Sequence, residues 1–150
     1  MKRSKQSGPS LRVVVDTNVL ISGLLGIKNA PSAQILKAIR EQGMVLVMSP
    51  QILMEVWEVI GRERIAKLTK MGEREQKYFI EELMERGEVT PGRQLARMVG
   101  RDMKDDKFLA CACESGTDYL VTGDRDLLVL GAFGGTKILS PRDFVSEIEL

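Results

Sequence analysis

The stretch LRVVVDTNVLISGLL, residues Leu11 to Leu25, decides how the chain is read. Leu11, Val13, Val14 and Val15 form a continuous apolar run rich in β-branched residues, the pattern of a parallel strand covered on both faces. Asp16 ends that run. Val19, Leu20, Gly23 and Leu24 then follow at helical spacing as far as Gly26. A carboxylate at such a junction is a helix cap, part of a site, or both.

Composition narrows the chemistry. The 150 residues, 43% of them hydrophobic, suffice for one domain with its own core. Lys and Arg number 22 against 21 Asp and Glu, so no overall basic field exists and any nucleic-acid contact would have to be a local patch. The chain has no His, which excludes histidine bases, Ser-His and Cys-His catalysis and His-containing zinc sites. Cys111 and Cys113 lie two apart in a helical pattern, point to different sides and cannot join; both read as small core residues of a reducing compartment. No run approaches the roughly 18 apolar residues of a membrane span, and the N-terminus lacks the apolar core of a signal peptide. The expected location is cytoplasmic. MKRSKQSGPS, residues 1–10, reads as a disordered basic tail, and 11–150 as a single domain.

Further along, Pro31 to Glu41 reads as a helix and Met44 to Met48 as a buried strand. Ser49 and Pro50 open a third helix, with Ile52, Leu53, Val56, Val59 and Ile60 on one side and Glu55 on the flank of that stripe. Arg62 to Arg86, broken at Gly72, reads as two helices forming an arm, with Tyr78 and Phe79 on its inner face. Glu88 to Arg101 reads as a basic linking loop. Asp105 and Asp106 open a helix ending near Gly116. Tyr119 to Thr122 is a strand, Gly123 to Asp126 a turn into a short helix, Lys137 to Leu139 a last strand and Pro141 to Ile148 a last helix. Four strands are legible, with room for a fifth near Glu88 to Thr90. Strands alternating with helices indicate an α/β fold with a parallel sheet, whose ligands bind at the strands' C-terminal edge.

Each acid has a plain reading. Asp16, Asp124 and Asp126 suit helix caps or first turns, as do Asp105 and Asp106, and a helix-flank Glu such as Glu55 is ordinarily solvated. Together, however, several acids on one rim crowd like charges unless a cation compensates. An all-oxygen set matches Mg²⁺, which keeps several waters and rests on one or two carboxylates directly. Such a site activates water and stabilises charge in phosphodiester hydrolysis. Asn18 and Thr122, with Ser22 one turn beyond Asn18, are candidates to orient acids or water; for Asn18, simple turn formation is an equal reading. Trp57 reads as packing.

Assembled, VVVDTNVLISGLL, SPQILMEV, DDKFLACA, YLVTGDRDLL and KILSPRDF make the chain resemble the PIN domain family over Leu11 to Ile148. The likeness is greatest to prokaryotic PIN proteins described as toxin components of toxin–antitoxin pairs. The resemblance implies a Rossmann-like three-layer sandwich with parallel strand order 3-2-1-4-5. It also implies a Mg²⁺- or Mn²⁺-dependent ribonuclease acting on single-stranded or structured RNA, whose acidic quartet falls on Asp16, Glu55, Asp106 and Asp124. Asp105 and Asp126 become auxiliary acids. By the same resemblance, the expected partners are RNA, an antitoxin protein and a second copy in a homodimer or higher homo-oligomer.

Two other classes compete. A PIN-shaped binding module without catalysis would keep the fold and lose metal dependence. A receiver-like phosphoacceptor domain also gathers acids at the edge of a parallel sheet, but Val15-Asp16 lacks its acidic pair and Met48-Ser49 its acceptor.

Overall fold

The computed structural model describes residues 10–93 and 103–150; for 103–106 only the backbone helix is described. Residues 1–9 of the tail, the second half of the 88–101 segment from 94 onward and the side chains of Asp105 and Asp106 lie outside the described residues.

The sheet is built around β1 (Arg12–Val15). β2 (Val45–Met48) and β4 (Tyr119–Val121) pair parallel on either side of it, β3 (Glu88–Val89) continues beyond β2, and β6 (Thr136–Leu139) beyond β4. These five strands stand in the expected order, and β3 falls where room was left for a fifth strand. One strand was not foreseen. β5 (Ala132–Phe133) pairs antiparallel with β6 and extends the order to β3-β2-β1-β4-β6-β5. It is two residues long, set between Gly131 and Gly134, both at positive φ, and so leaves no periodic signal.

Val13, Val14 and Val15 are all buried, as are Leu46, Val47, Met48, Leu120 and Val121. Successive strand residues point to opposite faces, so continuous burial means that helices cover both sides. Those helices are α1 (Thr17–Leu24), α2 (Pro31–Arg40), α3 (Pro50–Ile60), α4 (Glu63–Thr69), α5 (Glu73–Arg86), α6 (Met103–Ser115), α7 (Arg125–Leu128) and α8 (Pro141–Ile148). α1 packs on α2 and α2 on α8, while α6 lies against β1, β2 and β4. Among the described residues, no helix is long and apolar enough to cross a membrane.

Local chemistry sets the boundaries. Ser49 caps α3 by accepting the Ile52 N–H at 3.2 Å, with Pro50 in the first turn, and Ser140 caps α8 by accepting from Asp143 N–H at 3.1 Å. Gly72 separates α4 from α5, its N–H donating to Glu75 Oε1 at 2.9 Å. α4 buries none of its residues, whereas α5 buries Gln76, Phe79 and Leu83 against α3, β2 and β3, so its inner face belongs to the core. Tyr78, by contrast, faces solvent: neighbours on a helix point about 100° apart, and Phe79 has the inward position. Cys113 is likewise exposed, contrary to expectation, while Cys111 is buried and its thiol pushed up to about 12 by burial.

The end of the sheet away from Asp16 is pinned by Arg12. Its guanidinium donates to both Glu88 carboxylate oxygens, at 3.2 and 2.6 Å, and to the Ser115 carbonyl at 2.7 Å, tying β1 to β3 and to the end of α6.

Gly23 allows α1 and α2 to touch. A Cβ there would lie 2.8 Å from the Ser32 carbonyl oxygen and 3.0 Å from Leu36 Cβ. Backbone cannot yield as a side-chain tip can, so Gly23→Ala is expected to destabilise the fold by about 1–3 kcal/mol, read as a lower urea midpoint. An unchanged midpoint would mean that the two helices are free to separate.

Candidate active site

Parallel strands in register bring their C-terminal ends to one edge. Val15 is opposite Val121, and Val121 opposite Leu139. The Asp16 N–H donates to the Val121 carbonyl at 2.9 Å, which extends the ladder one residue and brings Asp16 alongside Thr122. Thr122 Oγ1 then donates to Asp16 Oδ2 at 2.6 Å and accepts the Asp124 N–H at 3.0 Å. One buried hydroxyl thereby links the acids at the ends of β1 and β4.

Asp16 is also the cap of α1, its Oδ1 accepting the Asn18 N–H at 3.1 Å. Asp124 caps α7 in the same way, accepting from the Asp126 N–H at 2.8 Å. Capping and membership of a cleft are thus not alternatives for these residues. Each carboxylate uses some oxygen lone pairs locally and has others to offer.

Glu55 is not the solvated flank residue that its helix position alone suggests. Its Oε1 accepts from Thr17 Oγ1 at 2.7 Å and its Oε2 lies 3.5 Å from Lys107 Nζ; its side chain is 27% exposed. Neither partner was singled out from the sequence. Thr17 stands inside the opening motif between two more conspicuous residues, and Lys107 directly follows the Asp105-Asp106 pair. Their positions in those motifs were the available signal, but the partners lie 38 and 52 residues away from Glu55.

Asp16, Glu55, Asp124 and Asp126 all line one open cleft of ≈ 1570 Å³, together with Asn18 and Ser22. That is beyond the roughly 300–1,000 Å³ of a small-molecule pocket and suits a polymer. Lys107 and Phe108 line it as well, so α6 reaches the cleft directly after Asp106. Trp57 is not a packing residue: it stands on the cleft wall, 41% exposed. Glu58, on the same wall, is solvated.

The cleft's electrostatics centre on Asp16, which is 8% exposed. Burial raises its pKa above the ordinary carboxylate range, the Thr122 and Asn18 hydrogen bonds oppose that rise, and the charges of Glu55 and Asp124 add to it. The donors facing the cleft are carboxylate oxygens, the ligand chemistry of a hard divalent ion and not of zinc. Among the described residues no three Asp, Glu or Cys side chains form a ready-made cage. A hexahydrated-type ion that keeps most of its waters needs none, because one or two direct carboxylates suffice.

Comparison with known proteins agrees with this architecture. Over 147 residues the chain is 30% identical to the uncharacterized protein MJ1680 of the archaeon Methanocaldococcus jannaschii, an alignment covering 93% of this chain and 92% of that one. Residues 12–126 match the PIN domain, a stretch running from the first residue of β1 to the second residue of α7 and including every acid discussed above. The chain belongs to the PIN domain family, whose members are generally nucleases.

Proposed function

We propose that the chain is a divalent-metal-dependent endoribonuclease that hydrolyses RNA phosphodiester bonds, with Asp16, Glu55, Asp106 and Asp124 as its acidic set. The observation that supports this most is a buried carboxylate, Asp16, on the floor of an open cleft, already burdened by the like charges of Glu55 and Asp124. A cation relieves that burden. Asp16 and Asp124, together with Glu55 and Asp106, would hold Mg²⁺ or Mn²⁺, with Asp105 and Asp126 as auxiliary acids. When bound, such an ion supplies an activated water and offsets the charge that builds on the phosphate.

The chain's own contribution is placement. Thr122 fixes the Asp16 carboxylate relative to the Asp124 backbone, and Thr17 holds Glu55 toward the cleft. Lys107 offsets part of the Glu55 charge. Asn18 steadies Asp16 through its N–H and lines the cleft with its side chain. The prokaryotic likeness of the motifs supports a toxin role with a protein antitoxin and a homodimeric or larger assembly, within the cytoplasm. A catalytically silent binding module would bind in the same cleft and leave RNA intact.

Total RNA incubated with Mn²⁺ is expected to be cut, and end mapping to give discrete sites. EDTA or Asp16→Asn should abolish cutting while circular dichroism is unchanged. Intact RNA with folded wild-type protein would overturn the assignment.

Thr122→Val keeps the side chain's shape and removes the hydroxyl that joins Asp16 to Asp124. It should lower kcat roughly 10- to 100-fold, on the scale seen when residues that orient metal ligands are lost, with KM little changed. An unaltered kcat would remove Thr122 from the site.

Asp16 also makes a stability prediction. Its folded pKa is raised, so its contribution to stability is fully present below the unfolded pKa and is lost as pH rises through the folded pKa. Above that folded pKa and without metal, ionised Asp16 therefore works against the fold. Asp16→Asn should melt no lower than wild type in EDTA, and at saturating Mg²⁺ only the wild type should gain, by about 2.7 kcal/mol at a hundredfold excess over Kd. Equal Mg²⁺ responses in the two proteins would place the ion elsewhere.

A further inference from the structure

Trp57 is the chain's only tryptophan and has no place in the acidic chemistry. A ring of that size ordinarily hides its apolar area, yet this one is 41% exposed on the cleft wall. Met54, three residues earlier and so a neighbour on the same side of α3, is 67% exposed and lines the same cleft. The two form an apolar strip beside the acidic floor.

Cations flank it. Arg62, just past the end of α3, lines the cleft and is joined to Glu58 by an exposed pair at 4.0 Å, a contact of little strength that leaves the guanidinium able to turn. Arg142, in the first turn of α8, lines the cleft as well. A ligand matching this surface must have a flat apolar face and anionic groups, and must extend through a space larger than a metabolite fills. An unpaired stretch of nucleic acid combines all three, whereas a duplex hides its base faces in its own stack.

Resting on the nuclease reading for where cutting occurs, we propose that Trp57 is a base-stacking subsite. It holds one unpaired nucleotide beside the acids, with Met54 against the base and Arg62 and Arg142 taking flanking phosphates. The subsite favours a nucleotide whose base face is free over one held in a stack.

The lone tryptophan is its own probe. On the cleavage-defective Asp16→Asn chain in Mg²⁺, titration with a short oligoadenylate should quench Trp57 emission saturably, and the same oligomer paired with its complement should quench far less. In the same Asp16→Asn background Trp57→Ala should weaken binding of a fluorescein-labelled oligoadenylate roughly 5- to 150-fold, while Trp57→Phe retains most of the affinity. In the cleaving chain Trp57→Ala should raise KM more than it lowers kcat. Binding with unchanged emission, equal quenching by the duplex, or no binding at all overturns the subsite. So does an emission shift that depends on protein concentration alone, which would mean that a second copy of the chain covers Trp57. Because emission is read on a chain that cannot cut, failure of hydrolysis in the wild type would sink the nuclease reading and leave the subsite standing. Cleavage without quenching would do the reverse.

Discussion

Burying the charge of Asp16 is the constraint that shapes the rest of this molecule. A carboxylate withdrawn from water is unfavourable unless hydrogen bonds or opposite charge compensate it. Here the fold provides two donors, the Thr122 hydroxyl and the Asn18 N–H, and then sets two further acids where they worsen the balance. A sheet selected for stability alone would place a neutral cap at that position. The arrangement makes sense if the native protein meets a cation there, so that the cost borne by the isolated fold becomes the affinity of the site.

The sheet exists to hold that geometry. β1 is central, every one of its valines is buried, and its register with β4 places Asp16 within one hydroxyl of the Asp124 backbone. At the opposite end Arg12 clamps β1 to β3 and to the end of α6. With both ends fixed, the rim holds Asp16 and Asp124 in register, and in the proposed reading recognition falls to the side chains on the cleft walls. Trp57, Met54, Arg62 and Arg142 belong to that second tier.

Much of this was legible in the sequence because parallel strands covered on both faces leave uninterrupted apolar runs, and because Ser-Pro and Gly mark helix ends wherever they fall. VVV, VLVM and YLV declared themselves that way. Ala132–Phe133 did not, being too short for any period. Tyr78 and Phe79 could not be told apart by hydrophobicity, since a turn of 100° decided which one entered the core. Within the site, Asp16 was visible as an acid ending a strand and Asp124 as an acid in the turn after one, and both proved to be caps as well. Thr17 and Lys107 were not visible, because each acts on Glu55 across the fold and nothing local distinguishes a threonine or lysine that does so. Trp57 was misread for a related reason: its exposure depends on how α3 is rolled against the sheet.

The central claim is that these acids gather around one divalent ion, and the most direct measurement is anomalous diffraction from crystals of the wild-type chain grown with Mn²⁺. The account requires a manganese peak within direct coordination distance of the Asp16 and Asp124 carboxylates, on the floor of the cleft. A map with no peak there, or with manganese bound only on other surfaces, would contradict it.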